Sequence, residues 1–310
     1  MGKIDLFSKV LFGILLVGIL GLVTLIWVET RDKEFPKDSF SIVRLEEPNF
    51  DGFYKKAKVK DKVNLELLSK SPNGITDDEI WLSKYGEGMT KRIICNFTPG
   101  GPQATKKIRN IVPLKCDGLY RRYVELKDGY NVIYYGPKCT SDESDNFGVD
   151  PTLIVITDPA VESVMYAFDF SKFSVSQYAK EEDLDFVAIS VSDVEIENNI
   201  LYACVYHSTY AESSSEYNGY LVAIDLRTLT LKWMSQPLTC NSSFLIHKDV
   251  IFTGYGFTNE DDYLYVLDKE TGDRIYSRKL DKAPGGFSII ENTLYVRTYS
   301  LDYSFRIVEL

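Results

Sequence analysis

Two histidines, His207 and His247, five cysteines and several acidic loops are the residues of this chain with chemical reach. A Ser-His-Asp or Cys-His set needs a base that orients and deprotonates its nucleophile, and a G-x-S-x-G turn is one way of holding a serine up for attack. No such turn occurs, and the two His lie in unrelated segments. Gly100-Gly101-Pro102 and Gly285-Gly286 have turn chemistry; neither precedes the Lys-Ser/Thr that a phosphate-cradling loop uses. Ser141–Asp145 is acidic but lacks the alternating ligands, central Gly and terminal Glu of a calcium loop, so it reads as solvated loop. His207 reads as a polar or core residue where a strand meets a loop. Cys95, Cys116, Cys139, Cys204 and Cys240 show no C-x-x-C spacing. The first three are near enough in sequence for one disulfide outside the cytoplasm, or they are buried thiols. Asn96-Phe-Thr98 and Asn241-Ser-Ser243 are glycosylation sequons, meaningful only in a glycosylating host. These residues specify no catalytic group, no metal and no cofactor, and the expectation is a chain that is not an enzyme.

The elements that carry these residues are strands. Twenty-one Tyr and seventeen Phe stand beside four Met, and aromatic side chains suit a pleated, half-buried surface. At 310 residues and 45% hydrophobic content the chain has ample core and is too polar to cross a membrane many times. Its net charge of −10 argues against a nucleic-acid partner, which would require a basic stripe.

One segment differs from the rest. From Val10 to Val28 no residue is charged, and as a helix this run spans roughly 28 Å, close to the hydrocarbon thickness of a bilayer. It lacks the small-residue exit of a cleaved signal peptide. The expected organisation is a short tail (1–9), a transmembrane anchor (10–28), a linker (29–40) and a folded region (41–310). Lys3 and Lys9 before the run face Arg31, Lys33 and Lys37 after it, so the count of positive charges leaves the orientation open. A short basic tail favours a cytoplasmic N-terminus, with the folded region expected outside, periplasmic or extracellular.

The folded region repeats. Ile200–Tyr206, Val250–Gly256 and Thr293–Tyr299 align, each with an aromatic at the third place (Tyr202, Phe252, Tyr295). Each is followed by a loop and a second strand ending in an acid: Asp225, Asp268 and Glu309. An earlier copy reads Thr152–Ile156 and then Met165–Asp169, and the repeat is clear from about residue 150. Tyr123–Gly129, Ile80–Gly86 and Ser41–Leu45 are fainter copies, while Leu65–Lys70 and Thr76–Trp81 read equally well as short helices. A unit of about 40–45 residues made of short strands has the size of a propeller blade. The expected fold is therefore all-β, a β-propeller of about six blades (five to seven), preceded by one transmembrane helix.

The segment Ala223-Ile-Asp225-Leu-Arg-Thr228 to Trp233 resembles the tryptophan-docking repeat of quinoprotein-like (pyrroloquinoline-quinone-like) propellers. The next copy keeps Asp268, Thr271 and Gly272 and has Tyr276 at the Trp place; Leu229 stands where the first copy should have Gly. In that family the Asp and Thr-Gly build a turn and the ring packs on the neighbouring blade. The quinone-dependent dehydrogenases of the family carry a vicinal Cys-Cys pair, which this chain lacks. The resemblance therefore implies the non-enzymatic group, whose members include outer-membrane-assembly scaffolds. Equivalent loops of a propeller share a rim, and here they collect Tyr210, Glu212, Glu216, Tyr217, Phe257, Glu260, Asp261, Asp262, Asp302 and Tyr303. Tyr among carboxylates suits a protein partner, with a basic one favoured. The expected function is a membrane-tethered, extracytoplasmic protein-interaction scaffold. A small-ligand or sensor module using the central channel is the alternative, and a quinone-dependent oxidoreductase ranks third.

Overall fold

The computed structural model describes residues 42–46, 63–73, 93–94, 115–137, 151–158, 160, 163–173, 180–187, 189–207, 217–257 and 260–309. The expected tail, anchor and linker lie outside them. Among the described residues no helix is long and apolar enough to cross a membrane, and the only helical element is a 3-10 segment at Glu181–Phe186. The rest is strand and turn.

Four strands precede the repeats: β1 (Val43–Glu46), β2 (Val63–Pro72), β3 (Ile93–Ile94) and β4 (Lys115–Cys116). Four antiparallel meanders follow. Sheet 1 runs β5 (Leu119–Lys127), β6 (Tyr130–Gly136), β7 (Leu153–Thr157) and β8 (Val164–Lys172). Sheet 2 runs β9 (Ile189–Glu197), β10 (Ile200–His207), β11 (Tyr220–Asp225) and β12 (Thr230–Met234). Sheet 3 is β13 (Phe244–His247), β14 (Val250–Tyr255), β15 (Tyr263–Asp268) and β16 (Arg274–Lys279). Sheet 4 is β17 (Pro284–Ile290), β18 (Thr293–Thr298) and β19 (Leu301–Glu309), and its fourth strand is β2.

Local sequence explains the hairpins. Asp117-Gly118, Asp128-Gly129 and Asn198-Asn199 all have positive φ at both residues, the two-residue turn whose twist matches that of the flanking strands. The second and third strands of sheets 2 and 3 are buried nearly throughout, so their sequences are continuous apolar runs. Such runs belong to sheets covered on both faces. The fourth strand β16 is buried at none of its residues.

The sheets pack face to face in chain order. Tyr134, Ile154 and Phe168 of sheet 1 meet Val191, Ala203 and Val222 of sheet 2. On its other face sheet 2 packs Tyr202, Leu221 and Trp233 against Phe244, Ile251 and Leu267 of sheet 3. Sheet 3 then packs Phe252, Leu264 and Val266 against Phe287, Val296 and Phe305 of sheet 4. The first strands converge: Lys127 of β5 reaches Asp193 and Glu195 of β9, and Asp193 Oδ2 accepts the Phe244 amide of β13 at 3.3 Å. Ser192 donates to the Ser242 carbonyl, and Ser242 donates to Pro284 O at 2.8 Å. The stack thus fans about its first-strand edge.

The N-terminal segment engages both ends of the stack. β1 adds in parallel to β8, with Val43 opposite Phe168 and Arg44 opposite Asp169. β2 pairs antiparallel along the whole of β19, from Val63 opposite Glu309 to Pro72 opposite Leu301. Leu65–Lys70, readable as a helix from sequence, is therefore strand, because Leu65 is needed in the core between sheets 3 and 4. Residues 41–45, the faintest copy, overlap β1, which is an added edge strand and not a blade of its own.

Two sequence assignments shift. The aligned strands beginning at Ile200, Val250 and Thr293 are second strands of their meanders, so β9, β13 and β17 form the converging edge. The copy ending at Asp169 is out of step, because β8 is a fourth strand. The acid equivalent to Asp225 and Asp268 is Asp158, whose Oδ2 accepts the Ser163 amide at 2.6 Å. Four meanders lie within the described residues, against about six expected from the repeat.

The docking residues act between sheets. Asp268 Oδ1 accepts the amides of Glu270 (2.9 Å) and Thr271 (3.2 Å), closing the turn that ends at Gly272, φ +75°. Trp233 of sheet 2 lies on that turn and donates Nε1–H to Lys269 O at 3.0 Å. A Cβ on Gly272 would stand 2.4 Å from Trp233 Cε3. In the preceding copy Leu229 holds φ +58°, a conformation that strains a residue with a Cβ. Tyr276 reaches β2 instead, its hydroxyl 3.4 Å from Leu65 O.

These contacts predict opposite outcomes at equivalent positions. Gly272→Ala should lower unfolding free energy by about 2 kcal/mol or more, from positive-φ strain plus the ring clash. Leu229→Gly should leave it unchanged or raise it by up to about 1 kcal/mol. Urea denaturation of both variants checks the pair.

Candidate functional site

The meander topology sorts every connection to one of two rims. The first-to-second and third-to-fourth strand turns share one rim and are short. The second-to-third strand loops and the sheet-to-sheet connections share the other, the loop rim, which among the described residues holds 217–219, 235–243, 256–257, 260–262, 280–283 and 299–300. Tyr217, Phe257, Glu260, Asp261 and Asp262 lie on the loop rim, and Tyr210, Glu212 and Glu216 lie outside the described residues.

Several of the expected contact residues are occupied internally. Tyr303 is not in a loop: it belongs to β19, is buried against sheet 3 and stacks on Phe305 at 6.0 Å. Its hydroxyl accepts the Asp281 amide at 3.1 Å. Asp302 is also in β19, opposite Arg297. Glu260 turns inward to the Tyr255 hydroxyl, and loss of solvent pushes its carboxyl upward, only partly opposed by that bond. Tyr255 in turn receives Asn218 Nδ2–H at 3.3 Å, and Asn218 clasps both backbone groups of His207 (2.9 and 3.1 Å). His207 is thus the buried end of β10 at the base of its loop. Burial likewise raises the Asp262 carboxyl. Asp261 pairs with Lys279 at 2.6 Å and Asp281 with Lys70, so these two loop-rim carboxylates already have cations. The basic partner expected from the acidic loops gains no support from this pairing.

A residue outside that set stands out. Tyr299 is 89% exposed, the most exposed large hydrophobic side chain among the described residues. It sits with Ser300 in the connection between β18 and β19, steadied by Asn73, whose amide donates to Ser300 O at 3.0 Å. The signal was available: an aromatic in a two-residue connection has no strand face on which to bury.

The second cluster lies at the first-strand edge. Lys127 Nζ is 2.5 Å from Glu195, 3.4 Å from Asp193 and 3.7 Å from Glu125. Tyr134 donates to Glu125 at 2.9 Å. Burial opposes the Lys127 charge, but Asp193, Glu195 and Glu125 together outweigh it and hold the ammonium well above the usual lysine range. Burial, with Asp193 and Glu125 adding to it against Lys127, lifts Glu195 to about 7. The lysine occupies the place a cation would take, and among the described residues no group of acids, His or Cys is arranged to hold a metal ion.

Glu195 therefore makes stability pH-dependent with a definite sign. Its folded pKa lies above its unfolded value, so its stabilising protonated form is fully present below about pH 4.5. That contribution is lost as pH rises through about 7, where it levels off. Wild type should lose roughly 1–3 kcal/mol across this window. Glu195→Gln should flatten the profile when unfolding is followed from pH 5 to 8.

Comparison with known proteins adds context to this geometry. No family model and no curated protein sequence matches the chain. Among solved structures it is similar to BamB from Moraxella catarrhalis, at 10% identity and a TM-score of 0.32, covering 59% of this chain and 69% of that one. A Europium-containing methanol dehydrogenase aligns at 9% identity and a TM-score of 0.36, over 56% of this chain and 34% of its own. The Dos1 propeller aligns at 11% identity and a TM-score of 0.33, over 59% and 53%. The all-β assignment rests on the chain's own four stacked meanders.

Proposed function

We propose that this chain is a membrane-tethered, ring-closed β-propeller that holds a partner protein at its loop rim, and that it acts by binding and not by catalysis. Ring closure is supported by β1 and β2, strands adjacent in the chain order of which one joins the first sheet and the other the last. The expected span at Val10–Val28 supports the tether.

The observation that carries the binding reading is Tyr299. An aromatic 89% exposed, on the rim that also bears Phe257 and Tyr217, is the type of side chain that dominates protein interfaces. The turn that carries it is tied by hydrogen bonds of Thr298 to Leu301 and of Asn73 to the Tyr299 carbonyl, and such ties reduce the backbone freedom to be lost when a partner buries the ring.

The disulfide supports an extracytoplasmic placement. Cys204 of β10 joins Cys240 of the segment leading to sheet 3, Cα–Cα 5.8 Å. Such bonds persist in oxidising compartments. The pair expected among Cys95, Cys116 and Cys139 cannot be followed, since Cys95 and Cys139 lie outside the described residues; Cys116 is buried in β4.

Two experiments test the proposal. Full-length protein purified from native membranes in mild detergent should bring a stoichiometric partner, and Tyr299→Ala should weaken its capture by about 30-fold, the loss of a hot spot of roughly 2 kcal/mol. Unaltered capture would remove the rim reading, because an exposed substitution changes stability by only about 0.5 kcal/mol. Cys204 and Cys240 should resist alkylation in unfolded, unreduced protein, and reduction should destabilise the fold by about 3–4 kcal/mol. Labelling of both thiols without reduction would contradict the compartment.

A further inference from the structure

We infer that the loop between β14 and β15 is held down at the junction of sheets 2 and 3 by a proton-dependent latch. The Glu260 carboxyl docks on the Tyr255 hydroxyl when neutral and leaves it when ionised. The latch belongs to the loop itself and does not depend on a partner binding there.

The fixed half of the latch is Tyr255, the last residue of β14, 3% exposed. Its ring lies against Gly219, where a Cβ would stand 2.5 Å from Cε2 and where φ is +71°. Its hydroxyl receives Asn218 Nδ2–H at 3.3 Å, and Asn218 is itself bonded to both backbone groups of His207. Burial, with Glu260 adding to it, holds the Tyr255 proton well above the usual phenol range, so this hydroxyl donates to Glu260. The two ends of the loop are fixed as well. Gly256 O accepts Asn241 Nδ2–H at 2.8 Å, and Asp262 O accepts the Leu280 amide at 2.8 Å. Between those ends the Glu260 amide donates to Phe257 O at 3.0 Å, closing a turn from which the side chain points inward.

One carboxyl oxygen of Glu260 takes the Tyr255 bond. The other, Oε2, is out of solvent and has no hydrogen-bond partner among the described residues. A carboxylate there would be a charge withdrawn from water with one neutral donor, whereas the neutral acid gives up far less. The surrounding groups do not offset that cost. Asp261 and Asp262 of the same loop are acidic. Lys279 of β16 is paired with Asp261 at 2.6 Å, and Lys282 acts on Asp262. Asp281 is paired with Lys70. Sheet 2 brings Asn218 and the buried His207. Burial therefore raises the Glu260 carboxyl above its ordinary 4.5, with the Tyr255 bond opposing. The docked loop binds this proton more tightly than the undocked one, so docking is complete below about pH 4.5 and is lost as pH rises through the raised value.

Hydrogen exchange of the full-length protein in detergent, followed by mass spectrometry from about pH 4 to 8 and corrected for intrinsic exchange, tests the latch. In wild type the peptide spanning 256–262 should lose protection several-fold as pH rises, beyond any change in a reference peptide from β18 and β19. Glu260→Gln, neutral and of the same shape, should keep the loop protected across the series. Tyr255→Phe keeps the ring on Gly219 but removes the donor, and should leave the loop poorly protected at every pH. Glu195 titrates in all three proteins, and the reference peptide reports its effect. A wild-type loop without pH dependence, or a Glu260→Gln loop that follows the wild type, would overturn the latch.

Discussion

A four-stranded twisted meander in this chain has two apolar faces and no means of covering either by itself. The rest of the structure answers that constraint. Sheet 2 presents Ala203 and Val222 on one side and Tyr202, Leu221 and Trp233 on the other, all buried. Each sheet therefore needs a neighbour on both faces, and stacking supplies one. Aromatic side chains, each burying roughly 150–250 Å², carry much of this contact. Trp233 adds a specific point of attachment, since its indole is both laid on the next sheet's turn and hydrogen-bonded to it. The glycine beneath it is required by the approach as well as by the backbone angle.

Stacking of this kind brings polar groups out of water, and their pairing decides where sheets meet. Lys127 enters from sheet 1 with an acid of its own strand and finds two on sheet 2. A buried charge without such partners would be strongly unfavourable, and three acids without the lysine more so. Asn218, Tyr255 and Glu260 solve the same problem at the loop rim, joining the end of sheet 2 to the loop of sheet 3. The Cys204–Cys240 bond lies at this same junction. Several loop acids are consequently part of the packing and are withdrawn from any partner.

The two rims differ because their connections differ. The first-to-second and third-to-fourth strands are joined at one rim by turns of two to six residues, whereas the longest connections between described strands fall at the opposite rim. Variation in length is tolerated where no strand pairing depends on it. Tyr299 projects from the second kind of rim and the N-terminal strands enter from the first. Tyr299 and the entry of the N-terminal strands thus lie at opposite ends of the stack.

Strand content and the inter-sheet role of Trp233 and Gly272 were legible in the residues, because turns and apolar runs are local and the repeat displays them more than once. Asp225 and Asp268 were recognisable for the same reason. Their sheet-1 counterpart was misplaced by one strand: Asp169 matches by composition, yet Asp158 occupies the equivalent turn. Which edge of a meander converges, which carboxylates a lysine binds and whether Tyr303 points outward were not legible at all. Each depends on the register between segments far apart in the chain, such as Lys127 with Glu195 or Tyr303 with Asp281. The amino-acid sequence by itself determined that strands form and what their turns look like, since those follow from backbone angles and side-chain patterning over a few residues. Only the tertiary structure decided which polar groups are spent in burial and which remain for a partner, because desolvation is set by what packs on a residue and not by its neighbours in sequence.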